Sequence, residues 1–156
     1  MDFKKIIGAA LIPTVILVVL GIIGNVLGFA AGLVGGIPGT VVAIIAGLGI
    51  FILNCLILLY AGRSAVRKYK LDLVGGALTG SLSAVVASVI NSIVGLIFLL
   101  VGLVPAATKD ALAAAGGGAI AAMGIGFIIG LVIGIIFYIV LGAVLGAIGA
   151  FIGQRM

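Results

Sequence analysis

The chain has 156 residues, 65% of them apolar and 7% charged, with eight basic and three acidic side chains and no histidine, glutamate or tryptophan. A soluble domain carries about 45–50% apolar and about 25% charged residues, so a mean hydropathy of +1.65 excludes a water-facing surface and places the chain in a membrane. The net charge of +5 does not point to nucleic acid, because the basic residues flank apolar runs and form no patch on a soluble face.

The first apolar run, Ile6 to Leu33, follows a short basic start, Met1-Asp2-Phe3-Lys4-Lys5. It is far longer than the roughly 7–15 residues of a signal-peptide core, so it reads as a first transmembrane helix over about 6–31. Gly35, Gly36, Pro38 and Gly39 predict a tight turn. A second span follows over about 41–60, and Arg63, Arg67, Lys68, Lys70 and Asp72 read as a polar loop. A third span covers about 74–101, with Pro105, Lys109 and Asp110 marking the next loop.

The last stretch, 111–153, carries no charge. As one helix it would be about 64 Å long, against a hydrocarbon core of about 30 Å. Gly116-Gly117-Gly118 is expected to break it, leaving a fourth span over about 119–152. Strong tilt or a re-entrant outer segment would absorb the excess. A fifth span would need a turn near Gly130 and Gly134.

With four spans, Lys4, Lys5, Arg63, Arg67, Lys68, Lys70 and Arg155 fall on one side and only Lys109 on the other. The bias of basic residues toward the cytoplasm then puts both termini there, in the cell membrane. Residues 7–38 laid on 74–105 give 11 identities in 32, including Gly8 on Gly75, Gly28 on Gly95 and Pro38 on Pro105. The expected fold is therefore an all-α polytopic bundle, two parallel-repeat helical hairpins in a single membrane domain, related about the membrane normal.

Three sets of residues stand out as functional candidates. Gly24, Gly28, Gly32 and Gly36, and again Gly126, Gly130 and Gly134, recur every four residues on one helix face. Such strips let helices approach closely where lipid offers no hydrophobic drive; Gly142 and Gly146 share the spacing. Asn25, Asn54, Ser81, Ser88 and Asn91 are polar groups within spans; they either bond across helices or line a polar path, and Asn25 and Asn91 fall where they could meet. Arg63, Arg67, Lys68 and Lys70 are placed to touch lipid headgroups.

Absences narrow the chemistry. No Asp, Lys or Arg lies inside a predicted span, and Glu and His are missing altogether; ion-coupled transport and proton relays need such groups at depth. The lone Cys55 cannot form an internal disulfide, and no Cys/His metal site can be built. No cofactor or enzymatic activity is expected. In length and glycine content the chain is similar to rotor-ring proteolipids, but Gly130–Ile152 lacks the ion-carrying carboxylate such a protein requires.

The link Tyr60-Ala61-Gly62-Arg63-Ser64-Ala65-Val66-Arg67-Lys68 and the ending Gly149-Ala150-Phe151-Ile152-Gly153-Gln154-Arg155 resemble small archaeal-type Gly/Ala-rich four-span membrane proteins. That resemblance implies no activity. The expectation is a structural or accessory membrane subunit, in the bilayer, as a homo-oligomer or within a larger complex, without nucleic acid. The alternative is an uncharged channel or facilitator along the third helix.

Overall fold

The computed structural model describes the backbone of residues 2–101, 103 and 106–155, and the side chains of all of these but 106–127. The described chain is all-helical: α1 (Phe3–Val34), α2 (Gly36–Tyr69), α3 (Leu73–Leu100) and α4 (Ala106–Arg155). Each holds a stretch long and apolar enough to cross a membrane; in α4 this is Ile128–Arg155. Four such helices fit a multi-pass membrane protein.

The helices run further than the apolar runs. Between α1 and α2 only Gly35 lies outside a helix, with φ 66° and ψ 174°, and Gly36 follows with φ 56°. A side chain at either would be strained. Pro38, expected in the turn, sits in the first turn of α2, where backbone N–H groups have no intrahelical partner and proline costs nothing. At its other end α2 continues through Arg63, Arg67 and Lys68 to Tyr69. The expected polar loop is thus mostly helix, because Arg and Lys are good helix formers and leave the bilayer without unwinding. Lys70 closes α2 in the left-handed conformation (φ 56°, ψ 37°). Its N–H and that of Leu71 donate to the carbonyls of Val66 and Ala65, each at 3.1 Å. Asp72 then caps α3, accepting from the Gly75 N–H at 2.7 Å.

α4 is one helix of 50 residues, about 75 Å long. Gly116, Gly117 and Gly118 do not break it, and Lys109 and Asp110 lie in its opening turns, not in a loop. Each glycine costs about 1 kcal/mol relative to alanine in a helix, a cost spread here over an alanine-rich run. No turn forms at Gly130 or Gly134. Gly102 and Pro105 lie outside the described residues.

Contacts fix the directions. Ser83 and Asn91 of α3 reach Ala10 and Leu17 of α1, so α1 and α3 run parallel. Gly149 and Gly153 of α4 sit on Leu59 and Arg63 of α2, so α2 and α4 run parallel too. The N-terminus of α1, the α2–α3 connection and the C-terminus of α4 share one end of the bundle, which carries most of the basic residues. α2 and α3 pack on each other across the centre, whereas α1 and α4 barely touch. A twofold axis exchanging the hairpins would make those two interfaces alike, and in this bundle they differ.

Candidate intramembrane cavity

The basic end is closed by backbone packed on backbone. Gly62 of α2 lies against the Gly146 carbonyl of α4, Gly80 of α3 against the Gly142 carbonyl, and Gly149 against the Leu59 carbonyl. A β-carbon on Gly146 would stand 2.6 Å from the Gly76 carbonyl oxygen, a collision that only a backbone shift could relieve. Ala61, Ala65, Thr79, Ser83 and Ala150 fill the same layer and are fully buried. In lipid, such close contact supplies dispersion energy that apolar burial cannot.

Above this layer Leu17, Leu58, Ala84 and Ala87 form a buried apolar plug, backed by Tyr138, Leu141 and Leu145. The plug is the floor of a cavity of about 410 Å³ bounded by all four helices. α1 contributes Gly21, Gly24 and Asn25; α2 contributes Ile50 and Asn54; α4 contributes Tyr138. α3 presents Ser88, Asn91, Ser92 and Gly95. On α1, α2 and α3 these positions fall at helical spacing, so on each of the three they lie on a single face. The floor residues are buried and those above them half-buried, so the cavity is blind toward the basic end.

Asn91 sets the geometry of the α1–α3 wall. Its carboxamide N–H donates to the Leu17 carbonyl at 3.3 Å, and the group rests on the bare backbone of Gly21, where any β-carbon would overlap it. One turn further, the Asn25 oxygen faces Gly95, 3.9 Å from where a β-carbon would stand. Asn25 and Asn91, placed by the sequence where they could meet, each face a residue of the opposite helix at successive levels. The Oδ1 atoms of Asn54 and Asn91 are buried without a hydrogen-bond partner. An orphaned buried acceptor costs about 1–3 kcal/mol, so this polar cluster is not closed on itself.

The remaining candidates fall elsewhere. Ser81 is off the cavity, its hydroxyl donating to the Ile139 carbonyl of α4 at 3.1 Å. Of the glycine strips, Gly24 stands 3.1 Å from Ile50 at its β-carbon position, while Gly28, Gly130 and Gly134 face open space. Gly32 is half-buried, and Gly36 is exposed at the start of α2. The surroundings of Gly126 lie outside the described residues. Toward the basic end, the glycines whose β-carbon would run into a neighbouring helix include Gly62, Gly76, Gly80 and Gly149, together with Gly142 and Gly146, whose spacing stood out in the sequence. Arg67 and Lys70 line a shallow depression at the basic end with Gln154. Gly153 packs on Arg63, and Lys68 is exposed on the last turn of α2.

Tyr138 is a polar wall residue that the sequence reading passes over. Its signal was present, since it is the one tyrosine deep in an apolar run. Thr79 and Ser83 were also missed. Thr79 bonds back to the Gly75 carbonyl at 2.8 Å, and Ser83 crosses to the Ala10 carbonyl at 3.3 Å. Among the described residues no cluster of metal-ligating side chains occurs. Comparison with known proteins finds no matching family model, no matching curated protein and no matching solved structure.

Proposed function

We propose that this is a non-enzymatic, multi-pass protein of the cell membrane, a structural or accessory subunit with both termini and the basic end in the cytoplasm. The observation that carries the reading is the blind floor: the cavity stops at Leu17, Leu58, Ala84 and Ala87 above a layer where backbones touch, which favours a shape-holding role over conduction. The gathering of basic residues at that end supports the orientation. The lack of any charged side chain along the apolar runs supports a role without catalysis or ion coupling. Gly28, Gly130 and Gly134, open within the chain, are the surfaces a second copy or a partner helix would use. Arg67, Lys68 and Lys70 would meet anionic headgroups.

The second reading is an uncharged facilitator caught closed. It is favoured by the convergence of Asn25, Asn54, Ser88 and Asn91 on one cavity. Purification from native membranes followed by reconstitution separates the two. A defined oligomer or complex, with water and glycerol flux equal to that of empty vesicles, is expected. Flux above that level, abolished by Asn91→Leu, would establish the facilitator instead.

A further inference from the structure

We infer that the cavity is a binding site for an uncharged, hydroxyl-bearing molecule, a polyol head that enters from the membrane on an apolar tail or free from the aqueous side. The inference stands apart from whether the protein acts as a subunit or a facilitator.

Four observations converge on it. The volume, about 410 Å³, lies within the roughly 300–1,000 Å³ of small-molecule sites and is far more than the ~30 Å³ of one water. Asn25, Asn54, Ser88, Asn91, Ser92 and Tyr138 supply donors and acceptors, and none of them is charged, so neither an anion nor a cation finds a counter-charge. The lower wall is aliphatic, from Leu17, Leu58, Ala84 and Ala87, which suits an apolar body. The Oδ1 atoms of Asn54 and Asn91 lack a donor. The terminal torsion of an asparagine is broad and roughly two-fold, so rotation of the Asn54 carboxamide would present its oxygen to an incoming hydroxyl. A polyol completes this set of polar groups by donating to the oxygens and accepting from the amides.

The test uses the full-length protein in neutral detergent, with native mass spectrometry and thermal stability as readouts. Monoolein carries the head on a tail; free glycerol carries the head alone. Saturable binding of either, with a rise in melting temperature, is expected; monoolein alone assigns a lipid source and glycerol alone a soluble one. Asn54→Leu should weaken binding at least tenfold. Ser88→Phe, which fills the cavity and leaves both carboxamides intact, should do the same, so a folding defect in one variant does not decide the matter. Absence of saturable binding by both probes overturns the proposal. So does binding unchanged in both variants while each remains monodisperse, or equal and equally sensitive binding of phosphatidic acid, an anionic lipid with no polyol head.

Discussion

Asn91 and Gly21 show how a single residue pair shapes this protein. A carboxamide of Asn91 size can lie flat on a neighbouring helix only where that helix carries no β-carbon, and the α3 face was legible because Ser88, Asn91 and Gly95 recur at helical spacing. The choice of Gly21 over Gly24 or Gly28 was not legible, since it depends on how far α3 is shifted along α1. The same holds for the glycines of the closed end other than Gly142 and Gly146, which their four-residue spacing marked. Gly62→Ala or Gly146→Ala should destabilise the fold by about 1–3 kcal/mol, the usual cost of overpacking, because the opposing atoms are backbone. Gly130→Ala, whose added β-carbon meets no atom within 4 Å, should instead be neutral or stabilise by up to about 1 kcal/mol through helix propensity. Reversible unfolding in mixed micelles checks both. Equal effects at the three positions would refute the packing assignment.

At the scale of elements, Pro13 and Ser83 explain how a helix with an internal proline is tolerated. Pro13 is fully buried in α1 and cannot donate to the Ala9 carbonyl, and its ring opens the helix locally. In lipid such loosened backbone is satisfied by neighbouring Ser or Thr hydroxyls, and Ser83 donates to the adjacent Ala10 carbonyl. Ser83→Ala should cost about 0.6 kcal/mol, the mean for an interhelical bond in a membrane protein. The loss should shrink in a Pro13→Ala background, where the helix can satisfy its own carbonyls. A double-mutant cycle on unfolding free energies measures the coupling, and additivity would remove the link. The sequence showed Pro13 and Ser83 separately; only the parallel docking of α1 and α3 makes them one unit. Helix ends were misjudged for a related reason. Hydropathy marks where a chain leaves the apolar phase, whereas the helix ends where hydrogen bonding stops, so Arg63–Tyr69 and Lys109–Gly118 remain helical beyond the apolar runs.

For the molecule as a whole, the basic end and the opposite end are chemically distinct, and this has a direct consequence in cells. In a Cys55→Ala background, a cysteine at Lys68 should resist a membrane-impermeant maleimide added outside intact cells and react after permeabilisation. A cysteine at Lys109 should react in intact cells. Labelling of both from outside would reverse or break the proposed topology. The composition and the placement of eight basic residues were enough to determine the membrane setting, the helical class and the two ends, because the cost of charge and of unpaired backbone in hydrocarbon leaves few alternatives. Tertiary structure decided which glycines carry contacts, that α2 and α3 pack together while α1 and α4 barely touch, and that the polar residues line one cavity blind toward the basic end. Those outcomes depend on the relative rotation and axial shift of helices, and in a chain with 27 glycines nearly every helix face offers a permissible approach.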